Sequence, residues 1–277
     1  MKNSILITGA TGFIGRHLIK KISNYSIAVD ENGKNIDLRI RKDVLKMKRA
    51  DTVIHLAAKI PSEKNYSKNT FFEHNFLGTL NILEYCVQKK IKKIIFVSSY
   101  VYGDPKYLPI DEQHPINPHN LYTKSKFLGE ELCKKFSEMY DLNVTVLRPF
   151  NIFTGSINKN NLISNLISSI DSKKRITIIN KNSKRDFLHI DDFKEIILKI
   201  KDIDFKFEVF NAGSGISFSF EQIIEIIEKN TLTQLNLEYK KKDESFIQDI
   251  KSDNSKIEKL LNWKPKITLE EGLQKLL

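Results

Sequence analysis

The sequence predicts an α/β protein, with a doubly wound parallel sheet in residues 1–150 and a smaller α/β lobe in 151–277. Three observations carry that expectation. Apolar runs of strand length alternate with helically spaced apolar residues through the first half of the chain, which is the grammar of strand–helix–strand units. A glycine-rich turn follows the first of those runs directly. Beyond Pro149 the pattern weakens into short, mixed strands and helices.

Taken in order, Ser4 to Thr8 reads as a buried strand, Phe13 to Ile22 as a helix, Tyr25 to Asp30 as a second strand and Ile36 to Ile40 as a candidate third. Asp51 to Ala57 is a strongly apolar strand, and apolar residues at three- and four-residue spacings make Phe71 to Val87 a helix. Lys93 to Ser98 is the next strand. A Pro-containing loop from Asp104 to Pro118 leads into a helix over Tyr122 to Tyr140, and Asn143 to Leu147 supplies a sixth core strand. In the lobe, Ile176 to Ile179 and Val209 to Asn211 read as strands, Leu162 to Ile170 and Phe220 to Glu228 as helices. Two short helical patterns flank Asn262-Trp263-Lys264-Pro265, where proline interrupts the ladder and Trp263 reads as a core plug. No Gly/Ser linker separates the two regions, so their segments are free to interleave.

Composition narrows the class. A chain of 277 residues, 40% hydrophobic and 29% charged, fits a globular fold and excludes disorder, collagen-like repetition and a membrane bundle. Only Cys86 and Cys133 are present, too few and too far apart for a disulfide framework or a structural zinc site. A reducing cytoplasm is the expected location. No apolar stretch approaches the ~20 residues a membrane span requires, so no membrane insertion is expected. The excess of 45 Lys and Arg over 34 Asp and Glu is spread along the chain without a basic helix interleaved with aromatics, so it reads as a solvated surface and no nucleic acid partner is expected.

Chemistry enters at Gly9-Ala10-Thr11-Gly12-Phe13-Ile14-Gly15, between a strand and a helix. Glycines there allow positive φ and let backbone N–H groups approach a pyrophosphate. Asp30 closes the second strand about 20 residues on, where a carboxylate accepts from ribose hydroxyls and repels a 2′-phosphate. NAD is therefore favoured over NADP, although Lys34 and Arg39 stand nearby. Asp43-Val44 is a candidate for the adenine edge, or simply an exposed acid opening a helix.

Tyr122 and Lys126 are four residues apart, on one face of one helix. To exchange protons at neutral pH a Tyr must fall by about 3 from its ordinary pKa near 10, equivalent to about 4 kcal/mol. A neighbouring ammonium has the right sign. Such pairs are common on solvated helices, and context decides: the strand at Lys93 to Val97 ends in Ser98-Ser99-Tyr100-Val101-Tyr102-Gly103, at the edge where open α/β sheets bind ligands. Ser98 is the candidate to align a substrate oxygen with Tyr122. The plain alternative is that both serines cap the strand.

These motifs together resemble the extended short-chain dehydrogenase/reductases, specifically the NAD-dependent epimerase/dehydratase family that acts on nucleotide sugars. The matching pieces are Gly9 to Gly15, Val53 to Ala58, Asn75 to Thr79, Ser98 to Gly103, Tyr122 to Lys126, Arg148 to Asn151, Arg185 to Phe187, Asn211 to Gly213 and Asn262 to Pro265. The resemblance implies a Rossmann-type sheet with a C-terminal substrate lobe. It implies Ser98, Tyr122 and Lys126 as catalytic. It places Gly9, Thr11, Gly12, Phe13, Ile14, Gly15, Asp30, Asp43, Val44, Leu56, Ala57, Ala58 and Asn75 around NAD, together with Tyr122 and Lys126, the latter also donating to the cofactor ribose. Ser99, Asn151 and Arg185 fall to a nucleotide-diphosphate sugar, Arg185 offering a planar donor fork for phosphate. A homodimer is the implied assembly, and no metal is expected.

Three departures stand out. The segment Asp30 to Asp43 is short for the family, Ile152-Phe153-Thr154-Gly155 replaces its usual turn, and Lys240-Lys241-Lys242 stands where a nucleotide-contacting Arg is common. No Asp or Glu follows the serines, which disfavours a dehydratase. The expected activity is a 4-epimerase acting by transient oxidation of a sugar carbinol. A 4-keto reductase using NAD(P)H is the alternative enzyme, and a non-catalytic dinucleotide sensor the alternative class.

Overall fold

The computed structural model describes residues 4–29, 33–61, 67, 69–154, 162–172, 175–240 and 247–277. Its chain divides into two compact units. The first comprises Met1–Tyr102, Ile116–Pro149 and Lys194–Phe210; the second comprises Gly103–Pro115, Phe150–Phe193 and Asn211–Leu277.

The first unit is built on a six-stranded sheet. β1 (Ile5–Thr8), β2 (Tyr25–Ile27), β3 (Thr52–His55), β4 (Lys93–Val97), β5 (Asn143–Pro149) and β9 (Phe207–Ala212) lie in the order β2-β1-β3-β4-β5-β9. β2, β1, β3, β4 and β5 pair in parallel. Every residue of β1, β3 and β4 is buried, which is why these strands read as unbroken apolar runs rather than alternations. Leu6, Val53, Ile94, Phe96, Val144 and Val146 join Tyr85, Cys86 and Cys133 in one core, each large apolar side chain contributing about 1.5 to 3 kcal/mol by leaving water.

Two expectations are corrected. Ile36 to Ile40 forms no strand: a lone bridge joins Val29 to Asn35, and Ile36 and Leu38 rest on the core from a loop. The sixth strand is instead β9, whose entry is fixed by the bond from Val144 N–H to the Lys206 carbonyl, 3.0 Å. The sheet therefore continues past residue 150. Helices are also shorter or longer than expected: α1 covers only Gly15–Leu18, α2 covers Arg41–Val44, and a π-helical turn at Phe72–Leu77 precedes α3 (Gly78–Gln88).

α4 (Leu121–Met139) begins where its capping chemistry dictates. The Asn120 side chain accepts from Thr123 N–H at 2.9 Å, and Asn120 N–H donates to Thr123 Oγ1 at 3.3 Å. This reciprocal pair satisfies two donors that a helix start would otherwise leave open. Tyr122 is thereby fixed in the first turn and Lys126 in the second.

The second unit contains a three-stranded sheet, β10 (Ser217–Ser219), β8 (Lys184–His189) and β6 (Asn151–Phe153), and a parallel pair, β7 (Ile176–Ile179) with β11 (Leu237–Lys240). α5 (Leu162–Ser172), α7 (Phe220–Thr231) and α9 (Leu269–Gln274) contribute Ile163, Leu166, Ile223, Ile227 and Leu273 to a core with Phe153 and Phe187. The segment 103–115 belongs here because Ile110 N–H donates to Lys251 and its carbonyl accepts from Asp253 N–H, at 2.8 and 2.7 Å. α8 (Ser255–Leu261) leads to Trp263, buried as expected. No helix among the described residues is long and apolar enough to cross a membrane.

Candidate active site

The glycine loop is shaped by backbone crowding. Gly9 has φ +69°, and a Cβ there would stand 2.6 Å from the Ala57 nitrogen; at Gly15 a Cβ would stand 2.3 Å from the Gly9 carbonyl oxygen. Any side chain at either position forces backbone apart. Thr8 ties this loop to the end of β3: its carbonyl accepts from Leu56 N–H and its hydroxyl from Ala57 N–H, both 3.2 Å. Gly9, Leu56 and Ala57 are thus in close mutual approach, as a cofactor cradle requires. Thr11 and Gly12 are exposed, Phe13 and Ile14 half-buried, and Ala58 exposed.

At the carboxyl end of β4 the two serines diverge. Tyr122 shares a side-chain hydrogen bond with Ser99. Ser98, the residue expected to align the substrate oxygen, is 4% exposed, and its hydroxyl donates to Glu130. The hydroxyl beside the candidate base is therefore that of Ser99. Tyr122 also meets the Phe71 ring edge-on at 6.0 Å.

Lys126 is 1% exposed and lies over the Phe96 ring, its Nζ 4.2 Å from the centroid, with no hydrogen-bond partner. Burial draws its pKa from 10.5 down to about 8, against the opposing pull of Cys133 and Glu130. Burial also pushes the Tyr122 phenol above its ordinary value, with the Ser99 hydrogen bond working the other way. The acidification expected from Lys126 is thus not expressed in the chain alone.

Three residues expected around the cofactor have partners within the chain. Val44 has its side chain in the core, and Asp43 pairs with Lys46 at 3.4 Å. Asn75 sits in the π-helical turn with its amide occupied: it accepts from Lys59 N–H at 2.7 Å and donates to the Lys59 carbonyl and to Ser125 Oγ, each at 3.0 Å. It braces the chain after β3 against α4. Asp30 lies outside the described residues, as do Lys241 and Lys242. His55, fully buried between Thr8 and Thr79 hydroxyls at 2.6 and 3.0 Å, is driven by desolvation to a pKa of about 3 and stays neutral. Among the described residues no group of His, Cys, Asp or Glu stands together as metal ligands would.

In the second unit, Asn151 Nδ2 donates to the Asp186 carbonyl at 2.9 Å. Arg185 Nη1 donates to the Lys184 carbonyl at 2.7 Å, with its guanidinium 5.5 Å from the Phe220 ring centroid. Next to Arg185 in sequence, Asp186 is fully buried and accepts from the backbone N–H groups of Ser214, Gly215 and Ser252 and from both serine hydroxyls, at 2.6 to 3.0 Å. Burial raises its pKa and these bonds oppose the rise. A Cβ at Gly213 would stand 2.7 Å from Asp186 Oδ2, so the glycine is required by this clamp. In the sequence Asp186 reads only as the neighbour of Arg185 in the matching Arg185 to Phe187 piece, and its burial leaves no mark there.

Residues 5–213 match the model of the NAD dependent epimerase/dehydratase family. The chain belongs to that family. It is accordingly an NAD-dependent enzyme of the extended short-chain dehydrogenase/reductase type. It is 34% identical to a putative UDP-glucose 4-epimerase of Methanocaldococcus jannaschii, over 98% of this chain and 96% of that one. The fold is shared with the UDP-glucose 4-epimerase of Thermotoga maritima solved with UDP-glucose, TM-score 0.89, 24% identity, 98% and 96% of the two chains covered. It is shared equally with RMD of Pseudomonas aeruginosa complexed with NADPH, TM-score 0.90, 24% identity, 100% and 98% covered. The residues present fit a dinucleotide: a buried ammonium without an acceptor, and a loop crowded to the point that only glycine is tolerated at two positions.

Proposed function

We propose that the protein is a nucleotide-sugar 4-epimerase acting on UDP-hexoses in the cytoplasm. The observation that carries this reading is the Ser99–Tyr122 hydrogen bond, on a helix whose next turn buries an unpartnered ammonium at Lys126. Its support from relatives is the protein of M. jannaschii named a putative UDP-glucose 4-epimerase, which it matches over 98% of its length. Two free, buried cysteines suit a reducing compartment.

The Gly9–Gly15 loop and Lys126 would hold NAD, which when bound would supply the hydride acceptor and donor for oxidation and reduction of a sugar carbon. Tyr122 takes the proton of the sugar hydroxyl and later gives it back. Ser99 donates to the same sugar oxygen and sets its direction toward Tyr122. Lys126, charged, favours the phenolate once Tyr122 has lost its proton. Arg185 and Asn151 are proposed as the groups that bind the diphosphate, Arg185 through its bidentate fork. The missing acids after Ser99 leave no second proton carrier for elimination, so oxidation and reduction at one carbon is the supported chemistry.

Purified protein incubated with UDP-glucose, UDP-galactose and other UDP-hexoses decides the matter. Isomerisation without net change in nicotinamide absorbance is expected, and Tyr122→Phe should abolish it while leaving NAD binding intact. Stoichiometric consumption of reduced cofactor by a keto sugar identifies a reductase instead. Full activity of Tyr122→Phe removes the catalytic assignment altogether.

A further inference from the structure

Ser98, Tyr102, Glu130 and Arg148 form a closed polar cluster inside the first unit. Arg148 reaches Glu130 through Nε at 3.2 and 3.1 Å and through Nη2 at 2.7 Å, while its Nη1 donates to the Tyr102 hydroxyl at 2.9 Å. Ser98 Oγ donates to the same carboxylate. Exposures of 4% for Ser98, 3% for Glu130, 6% for Arg148 and 0% for Tyr102 leave little contact with bulk water. Buried ion pairs are poor stabilisers, because apolar side chains of the same volume often do as well or better. What this cluster does supply is a fixed geometry.

Each member belongs to a different stretch of chain. Ser98 follows β4, Tyr102 lies in the loop beyond it, Glu130 is on α4 and Arg148 on β5. Glu130 stands on the helix that carries Tyr122 and Lys126, and the residue it grips is the immediate neighbour of Ser99. The backbone of Ser98 is held as well, its N–H donating to Leu147 at 2.7 Å. The bond from Ser98 to Glu130 therefore latches the strand end bearing Ser99 to the helix bearing Tyr122.

We propose that Glu130 is a positioning residue: oriented by Arg148 and gripping Ser98, it sets the register between β4 and α4 that brings the Ser99 hydroxyl to Tyr122. This rests on the epimerase reading above, since it assigns Ser99 and Tyr122 to the same sugar oxygen. Glu130 is 3% exposed with its carboxylate taken up by Arg148 and Ser98, so its action runs through those residues. A small misplacement of catalytic groups costs up to about 100-fold in rate, so loosening the latch should lower kcat and leave KM unchanged.

The test uses the full-length protein and the substrate that isomerises. Ser98→Ala and Glu130→Gln should each lower kcat by roughly 10- to 100-fold, with KM for the nucleotide sugar and NAD affinity unchanged. Placed on a Ser99→Ala background, either change should add nothing, because the latch then has no hydroxyl to aim; a merely structural role would not give that pattern. If Glu130→Gln fails to fold, Ser98→Ala, which leaves the ion pair whole, carries the test alone. Wild-type kcat in a folded Ser98→Ala, or losses that multiply with Ser99→Ala, would overturn the proposal. Those outcomes, seen together with an active wild type and an inactive Tyr122→Phe, sink only the role of Glu130. An inactive wild type or an active Tyr122→Phe sinks the epimerase reading and this proposal with it.

Discussion

Replacing Lys126 by Met should stabilise the cofactor-free protein while removing its chemistry. Lys126 is 1% exposed, its Nζ has no partner, and burial takes its pKa from 10.5 to about 8. Keeping that ammonium charged at neutral pH costs about 3 kcal/mol. The Phe96 ring, 4.2 Å away, offsets about 1 to 2 kcal/mol of this. Met has similar length and can place its sulfur on the same ring. The expected gain at neutral pH is about 1 to 2 kcal/mol, a rise of roughly 2 to 4 °C in Tm. The pH dependence has a definite sign. Below a pH of about 8 the native and unfolded chains both hold the proton and the penalty is present in full; between about 8 and 10.5 only the unfolded chain holds it, so wild-type stability climbs with pH. The gap between the two proteins should therefore close in alkali. Calorimetric melts of both, without nucleotide, at neutral pH and near the upper end of that interval, measure it. A variant melting below the wild type by the same margin at both would refute the claim that this ammonium is buried at a cost.

Three further outcomes follow from local geometry. Gly15→Ala should destabilise the chain by about 1 to 3 kcal/mol and weaken NAD binding by at least about tenfold, because its Cβ meets Gly9 and Ala10 backbone at 2.3 and 2.6 Å; unchanged affinity in a calorimetric titration would place the cofactor elsewhere. His55→Gln should flatten the acid limb of stability, since the unfolded imidazole protonates below its ordinary 6.5 while the buried one resists to about 3. That difference withdraws up to about 5 kcal/mol as pH falls through the interval, and superimposable acid melts would show that His55 charges in the native state. Asp186→Ala leaves three N–H groups and two hydroxyls without their acceptor. A loss of about 2 to 5 kcal/mol in urea unfolding is expected, and a loss under about 0.5 kcal/mol would mean the clamp is dispensable.

What could be read from the sequence was whatever depends on near neighbours. β1, β3 and β4 are buried on both faces, so their apolar runs declared them, and the Tyr122–Lys126 pair needs only the pitch of a helix. Ile36 and Leu38 misled because apolar residues on a loop can cover a core as well as a strand can. Val209 to Asn211 reads as a strand of the lobe, since nothing in its own residues says that it pairs beside β5. The choice between Ser98 and Ser99 was equally out of reach. Adjacent serines are equivalent in a motif, and what separates them is a carboxylate 32 residues onward with its guanidinium partner. Long-range polar pairing leaves no periodic trace.

The late arrival of β9 also has a meaning for how the protein is made. A ribosome has finished β1 to β5 long before Phe207 emerges, and until then the outer edge of β5 offers unpaired N–H groups, that of Val144 among them, beside apolar Val146 and Leu147. An open edge of that kind recruits other strands. The nascent chain must therefore keep its first sheet unfinished while residues 150–206 are made, and a gene fragment ending at Pro149 would express a sheet with nothing to close it.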